Sequence, residues 1–347
     1  MTTPKHTTTV YIATACCTLA VLLIALSLGR FPISLSELIS MLWERVSVGV
    51  GGGVSGTPAN ADIVLFEIRG PRIIAAFAVG AALAAAGAAY QNLFRNPLVS
   101  PDILGVSSGA ALGAVLGIFL AMPIIAIQGM AFAGGLLAVA GIYAIGDRLS
   151  SKHGGHDPVL TLVLAGIVIG SLLGSGIALS KYLADPYNQL PAITYWLLGS
   201  FASISRRDLG FALPVILLSM LPLYLLRWRI NLLALPDDEA RSLGLDARRT
   251  RFIVVVAATL MTAASVAICG IVGWIGLVVP HAVRLLVGAE FSRLLPLAML
   301  IGGTFMVAID TLGRTMAQVE VPPGVLTAAL GTPVFIWLMA VTFRRRA

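Results

Sequence analysis

Long uncharged stretches of apolar residues recur along the whole chain, separated by short polar or glycine-containing segments. Within these stretches the apolar residues are continuous and do not alternate with polar ones, which is typical of membrane-spanning helices and excludes a transmembrane β-barrel. The pattern predicts an all-α polytopic membrane protein. The uncharged stretches lie at about residues 10–29, 73–94, 103–146, 158–180, 209–226, 252–280 and 321–343, and a further one, 294–316, is interrupted only by Asp310 and Arg314.

Two of these stretches are long enough to hold two helices each. The stretch 103–146 is interrupted by an Ala-Met-Pro sequence at 121–123, and the stretch 252–280 contains closely spaced glycines that permit a tight reversal. Splitting both gives about ten transmembrane helices. They form a single transmembrane domain over residues 1–347, in which the first and last stretches are the first and last spans.

The distribution of basic residues predicts the orientation. Ten spans with the N- and C-termini in the cytoplasm leave most basic residues on cytoplasmic segments, as the positive-inside tendency requires. Residues 185–205 contain an uncharged stretch that could form an eleventh span, but an extra crossing would move many arginines outside. We therefore expect this segment to lie at the outer interface or to be re-entrant, held by Tyr195 and Trp196.

The most densely charged segment is a cytoplasmic loop at about residues 231–250, in a chain of which 11% of the residues are charged. Pro236 suits a first helical turn, the acidic residues after it suit a helix N-terminus, and Gly244 suits a helix end. The segment is predicted to be a short polar helix that another cytoplasmic protein contacts.

A second polar region, residues 30–62, connects the first two spans on the predicted outer side. It contains an amphipathic stretch, LSELISMLWERV, which is followed by a glycine-rich tract, VGVGGGVSGTPAN. The tract is expected to be a flexible connector.

The overall charge of +7 is compatible with nucleic-acid binding, but the arginines lie at the ends of apolar runs, where membrane topology places them. No His, Cys or carboxylate cluster has metal-ligand spacing, and there is no G-x-x-x-x-G-K-[ST] phosphate loop. We expect no catalytic residue, metal site, bound cofactor or nucleic-acid partner for this chain. Any ATP hydrolysis would occur on another chain.

Two patterns leave alternatives open. Residues 105–109 match the G-x-S-x-G of serine hydrolases, with His281 as a possible base, but the match opens a Gly/Ala-rich helix and does not follow a strand. Asp310, Arg314 and the nearby Glu320 are ionisable groups of the kind that an ion-coupled secondary transporter uses. The competing interpretation is that Asp310 and Arg314, four residues apart, neutralise each other within one helix.

Arg69 and Arg72 begin the second span on the predicted outer side, where basic residues are uncommon. They are expected either to reach lipid headgroups or to bind an acidic partner protein. Arg314, near the same surface, could join them.

Several stretches together resemble one family, the permease subunits of ATP-binding-cassette importers for iron chelates and cobalamin. Their order and spacing extend over nearly the whole chain from Arg69 onward. The stretches are RGPRIIAAFAVGAALAAAGAAYQNLFRNPLVSPDILGVSSGA (69–110), LAGIVIG (164–170), YWLLGSF (195–201), LLALPDDEARSLGL (232–245), GIVGWIGLVVPHAVRLLVG (270–288), ID (309–310) and VEVPPGVLTAALGTPVFIWL (319–338).

The resemblance implies a homodimer of ten-span subunits in the inner membrane. It also implies two ATPase subunits on the cytoplasmic side, which would hold the ATP and Mg, and a periplasmic substrate-binding protein on the other side. The implied cargo is an iron chelate, such as a ferric siderophore or haem, or cobalamin.

The functional segments of the family correspond to four places in this chain. The residues implied to dock the binding protein are Arg69, Arg72 and Arg314, and those of the cytoplasmic gate are Asn96 and Leu98. A second gate segment aligns near residues 157–160. The residues implied to couple to the ATPase are Pro236, Asp237, Asp238, Glu239, Ala240, Arg241, Ser242, Leu243 and Gly244.

Overall fold

A computed structural model describes residues 4–48, 59–152 and 158–344, and these residues fold mainly into helices. The α-helices are α1 (Pro4–Ser27), α2 (Leu35–Val48), α3 (Ala59–Ile63), α4 (Gly70–Leu93), α5 (Val106–Phe119), α6 (Ile124–Lys152), α7 (Pro158–Leu183), α8 (Gln189–Leu198), α9 (Arg206–Leu225), α10 (Arg227–Leu232), α11 (Asp237–Ser242), α12 (Ala247–Cys269), α13 (Ile275–Val287), α14 (Phe291–Thr315) and α15 (Pro323–Arg344). A π-helix, Val64–Arg69, joins α3 to α4, and a 3₁₀ turn, Pro101–Leu104, precedes α5. Most of the glycine-rich tract (49–58), Asp157 of the second gate segment and residues 345–347 lie outside the described residues.

Ten apolar helices in the described part of the chain confirm the predicted number of spans. Eight of them are long and apolar enough to cross a membrane, and the two shorter ones are α5 and α13. The breaks within the two long stretches occur at the predicted positions. Ala121 lies in the turn between α5 and α6, and Gly270, with a φ of 73°, ends α12.

The second span begins earlier than the sequence predicts. The helical region does not start near residue 73 but extends over Ala61–Leu93. Pro71 is tolerated because it stands in the first turn of α4, and the π-helix before it carries the chain through Glu67 and Arg69. These charged residues therefore lie within the helical region and do not mark its beginning.

Residues 185–205 do not form an eleventh span. Their helix, α8, has 10 residues, about half the length that a crossing requires. The chain after α8 folds back against the junction of α12 and α13, where the Ser200 N–H donates to the Cys269 carbonyl at 2.8 Å. Trp196 packs against small residues of α5, α6 and α12, whereas Tyr195 is half exposed.

Helix α4 is the centre of the bundle and packs against α9, α12, α13 and α14. Its sequence consists largely of alanine and glycine, and nearly all of its residues are buried. Gly80 lies against the backbone of Gly302 in α14, and Gly87 against the backbone of Gly276 in α13. Small residues at such contacts let helices approach closely within a membrane.

The loops of the bundle gather at two opposite ends, named here after one residue in each. The segments that meet at the Pro236 end are 93–101, 226–246 and 288–291. Those that meet at the Arg314 end are 27–35, 63–70 and 316–322.

Candidate functional site

The three arginines implied in docking come together at the Arg314 end. Arg69 ends the π-helix, Arg72 lies in the first turn of α4, and Arg314 lies in the last turn of α14. The carboxylates of Asp310 and Glu320 lie beside Arg72. These five residues are named the arginine cluster. Three cations and two carboxylates leave it with one positive charge that no carboxylate of the cluster balances.

Arg72 is the centre of the arginine cluster. Its Nε donates to Oδ2 of Asp310 at 2.9 Å, and its Nη2 donates to Oδ1 at 2.8 Å. Nη1 and Nη2 also donate to the two carboxylate oxygens of Glu320, at 3.1 and 2.9 Å. Arg72 is 8% exposed and Asp310 is 2% exposed. Removing such charges from water is costly, and these charge-assisted hydrogen bonds offset the cost.

Arg69 and Arg314 use backbone carbonyls of α1 and of the turn that follows it. Nη1 of Arg69 donates to the Leu26 carbonyl at 2.6 Å, and Nη2 donates to the Phe31 carbonyl at 2.5 Å. Arg314 donates to the Ala25 carbonyl. The last carbonyls of a helix have no partner within it, and the helix dipole favours a cation there. The arginine cluster thus ties α1 to α4 and α14.

Two features of the arginine cluster differ from the sequence-based expectation. The arginines were expected to point outward, but all three are buried in the protomer, because their carboxylate and carbonyl partners lie within the bundle. Asp310 was expected to be neutralised by Arg314 on its own helix, but its salt bridge is with Arg72 on α4. The docking role of the arginines stays a prediction.

The coupling segment forms the short helix α11 at the Pro236 end, as predicted. Pro236 caps α11, and the segment ends at Gly244, whose φ of 80° suits glycine. Ala240 is 1% exposed and belongs to the main core, so it seats α11 on the bundle. The exposed side chains of the segment include Asp238, Glu239, Arg241, Ser242 and Leu243.

The gate residues lie in the turn that ends α4. The N–H groups of Arg95 and Asn96 donate to the carbonyls of Asn92 and Gln91, at 3.3 and 3.1 Å, which is a Schellman motif. The Asn96 side chain then accepts the N–H of Leu98 at 2.9 Å. Asn96 and Leu98 are both exposed in the protomer and are available for contact with another chain.

Arg95 joins the gate turn to the residues just before the coupling segment, a contact that sequence reasoning missed. Its Nε donates to the Leu233 carbonyl at 3.0 Å, and its Nη2 donates to the Leu235 carbonyl, just before α11 begins. Asn92, one turn earlier, is buried and donates to a carbonyl of α10 at 2.6 Å. The signal in the sequence was a basic residue in a cytoplasmic loop, which the positive-inside tendency already explains.

The backbone conformation of Arg95 indicates that its side-chain hydrogen bonds are important. Its φ of 51° is left-handed, a conformation that glycine adopts at lower cost and that glycine usually supplies in a Schellman motif. An arginine at this position costs roughly 1–2 kcal/mol of backbone strain. The hydrogen bonds of its side chain to the carbonyls of Leu233 and Leu235 offset that cost.

The serine-hydrolase pattern is the start of a helix, as expected from its context. Helix α5 begins at Val106, and the hydroxyl of Ser107 donates to the carboxylate of Asp102. Among the described residues, no group of three or more His, Cys, Asp or Glu is placed to hold a metal ion.

A comparison with protein families identifies the chain. The FecCD transport family matches residues 17–341. The chain belongs to the FecCD transport family. This match covers the arginine cluster, the gate turn and the coupling segment together.

Three relatives resemble the chain over nearly all of its length. It is 36% identical to the "Cobalamin import system permease protein BtuC" of Halobacterium salinarum, with 92% of each chain covered. It is 36% identical to the "Molybdate import system permease protein MolB" of Haemophilus influenzae, with 90% of this chain and 89% of the relative covered. It is 38% identical to the "Probable iron chelatin transport system permease protein" of Helicobacter pylori, with 97% and 98% covered.

A solved structure shares the fold. It is an ABC transporter described as of the metal-chelate type, in an inward-facing conformation, and it is 34% identical to this chain with a TM-score of 0.83. The match covers 95% of this chain and 98% of that one. This FecCD-family chain is therefore a multi-pass membrane permease.

Removing the Asp310 carboxylate is expected to destabilise the protein, because Arg72 would stay buried without its closest partner. Asp310→Ala should lower the free energy of unfolding by about 3 kcal/mol, the lower end for a broken buried ion pair because Glu320 stays bonded to Arg72, and this is measured as a loss of thermal stability in detergent. The control Glu67→Ala breaks the salt bridge between Glu67 and Arg206. Both of these side chains are half exposed, so the free energy of unfolding should fall by at most about 1 kcal/mol. Equal losses in the two variants would contradict the anchoring role.

Proposed function

We propose that this chain is the permease subunit of an ATP-binding-cassette importer in the inner membrane. Two copies carry an iron chelate, haem or cobalamin from the periplasm to the cytoplasm. Two separate ATPase subunits bind the Pro236 end and hold the ATP and Mg, and a periplasmic binding protein docks at the Arg314 end. The observation that carries the proposal is the hydrogen-bonded link from the gate turn to the residues just before the coupling segment, in a chain that matches the family over residues 17–341.

The proposed cargo follows from the relatives. Two of the reported relatives are named for cobalamin and iron chelatin, and the matching solved structure is described as of the metal-chelate type. A third relative is named for molybdate, so molybdate belongs among the compounds to test.

The Pro236 end is proposed to face the cytoplasm. Helix α1 begins at this end, because the Tyr11 hydroxyl donates to the Arg293 carbonyl at 2.6 Å. Helix α15 starts at the Arg314 end and runs back, so the start of α1 and the end of α15 lie on the same side. The positive-inside tendency supports this assignment. Exposed arginines at the Pro236 end include Arg95, Arg229, Arg241, Arg248, Arg249 and Arg293.

The homodimer is proposed to form along helices that are apolar and open in the protomer. In the most apolar 18-residue stretch of α7, only 6% of the residues are buried inside the chain. Gly170 and Gly174 of this helix face open space. A second subunit could approach closely at these glycines, and the two copies would then enclose a pathway between them.

In the proposed mechanism, movement of the ATPase subunits displaces α11, and Arg95 transmits the displacement to the gate turn. Such a link can bias the bundle between two arrangements because its contacts differ in the two states. Asn96 and Leu98 lie directly after Arg95 along the chain. A shift of this arginine therefore moves the residues proposed to close the pathway.

Docking at the arginine cluster is proposed to proceed by exchange of carboxylates. The side chain of Glu320 is 32% exposed, whereas that of Asp310 is 2% exposed. A carboxylate of the binding protein can therefore approach Arg72 from the side of Glu320 and take its place. The unbalanced positive charge of the cluster favours an acidic partner.

Ion-coupled secondary transport is the alternative that Asp310 favours, because this carboxylate is buried in a membrane-spanning helix. Both of its oxygens, however, accept hydrogen bonds from Arg72. A transported ion would first have to break this pair. The ATP-driven function needs no such step.

The proposed function is tested by uptake into liposomes. The chain reconstituted with its ATPase and binding protein should take up a ferric siderophore, haem or cobalamin when ATP is supplied, and molybdate is assayed beside them. The chain alone should take up none of these compounds under a proton or sodium gradient. Gradient-driven uptake by the chain alone would instead support the ion-coupled transporter.

The exchange of carboxylates makes Glu320→Gln an informative variant. Without the competing negative charge, the affinity for the binding protein should rise by roughly fivefold, equivalent to about 1 kcal/mol, in a titration of the purified components. Glu67→Gln removes another carboxylate at the same end and should leave the affinity unchanged. The proposal fails if Glu320→Gln binds the partner no more tightly than the unaltered chain.

Arg95→Gln should uncouple transport from ATP hydrolysis, because it removes charged hydrogen bonds that together are worth roughly 1.5–3 kcal/mol. Uptake should fall by about tenfold while ATP hydrolysis by the complex persists. The control Arg229→Gln alters an exposed arginine at the same end and should change neither rate. If uptake and hydrolysis keep their normal ratio in Arg95→Gln, the link does not transmit the movement.

A further inference from the structure

Helix α2, between the first two spans, has three distinct faces. An α-helix places residues three and four apart on one side. The described side chains of α2 sort by this spacing into a packed apolar face, an exposed apolar stripe and a polar face. Each face has a different environment in the protomer.

The packed face fixes α2 on the bundle. Leu38 and Met41 are fully buried in a small core with Ile33, Ala61 and Leu65. The turn before α2 is held as well, because the Ser27 hydroxyl donates to the Ile33 carbonyl at 2.6 Å. The position of α2 is therefore set by the end of α1, by α3 and by the π-helix that precedes α4.

The exposed stripe consists of Leu35, Ile39 and Trp43, at positions i, i+4 and i+8. Their exposed fractions are 52%, 57% and 75%. Helix α2 contacts α1, and the end of α1 also carries exposed apolar side chains, since Ile24 and the following Leu28 are each 50% exposed. In the most apolar 18-residue stretch of α1, 11% of the residues are buried. Most of that helix therefore lies on the outside of the bundle.

The polar face carries serines and one described carboxylate. Ser36, Glu37 and Ser40 are exposed, and Glu37 forms a capping box with Ser34, whose hydroxyl donates to its carboxylate at 2.7 Å. Hydrogen bonds from the side chain and backbone of Ser34 lower the pKa of the Glu37 carboxyl from its ordinary value. The Glu37 carboxylate therefore stays charged, and the polar face is expected to contact water.

We propose that α2 is an interfacial helix, embedded in the headgroup boundary of the leaflet at the Arg314 end, with Leu35, Ile39 and Trp43 in the lipid. An apolar stripe beside a charged face is the arrangement that such helices have. Tryptophan is enriched at membrane interfaces because its ring is apolar and its N–H is polar. The helix thereby sets the depth of the α1 turn to which Arg69 is bonded.

Lipid fits the stripe better than a protein partner does. Three side chains of this size offer on the order of 300 Å². A stable protein interface needs roughly 800 Å² from each partner. Helix α2 lies against α1, whose exposed apolar surface a membrane must cover, and this neighbour favours lipid as the occupant.

The test compares two neighbouring positions on different faces. Cys16 and Cys17 are exposed and are replaced by serine, whereas Cys269 is buried and is retained. Ile39→Cys and, as its matched control, Ser40→Cys are labelled with an environment-sensitive fluorophore in the full chain reconstituted in liposomes. Nitroxide-labelled lipid should quench the label at position 39 about threefold more strongly than at position 40, and aqueous iodide should show the reverse order.

Three outcomes would overturn the proposal. Equal quenching by lipid at both positions would show that α2 does not separate lipid from water. Stronger iodide quenching at position 39 would place the stripe in water. Protection of position 39 from both quenchers would show that a protein, such as a second copy, covers it. Gel filtration of each variant confirms that the labelled protein is folded.

Discussion

Helix α4 can occupy the centre of the bundle because its side chains are small enough for neighbouring backbones to touch it. Gly80 and Gly87 lie directly against backbone atoms of α14 and α13. In a membrane, helices gain little from burying apolar side chains against one another, so close backbone contact supplies much of the attraction. The same helix ends in Arg72 at one side and in the gate turn at the other. Both candidate sites are therefore attached to one closely packed element.

The arginine cluster pairs a buried cation at the Arg314 end of α4 and also leaves one of its carboxylates accessible. A guanidinium group inside a membrane protein must be paired, and Arg72 meets this requirement with two carboxylates from α14 and the loop after it. The two pairs are not equivalent, because Asp310 is buried and Glu320 is partly exposed. The buried pair holds α4 to α14 whatever happens at the partly exposed one. The proposed exchange of carboxylates at Glu320 would therefore leave this anchor in place.

The sequence was sufficient for the features that depend on local pattern. Apolar run length predicted ten spans, and the acidic residues between Pro236 and Gly244 predicted α11, because span length and helix capping involve neighbouring residues. The burial of the arginines depends on contacts such as Arg72 with Asp310, which are 238 positions apart, and no local pattern reports them. The link made by Arg95 was missed for the same reason. Its partners are backbone carbonyls, which carry no sequence signal of their own.

The packing of α4 also limits where movement can occur. In the most apolar 18-residue stretch of the helical region Ala61–Leu93, 89% of the residues are buried. The corresponding values are 6% in α7 and 22% in α15. A closely packed helix resists bending, since any displacement forces several neighbours to move together. In the proposed transport cycle, alternation between two states would therefore come from the less buried helices and from the turn after α4. Arg95 lies at this boundary, with its backbone continuing the packed helix and its side chain bonded to the segment before α11. A displacement of that segment reaches the gate turn without passing through the centre of the bundle.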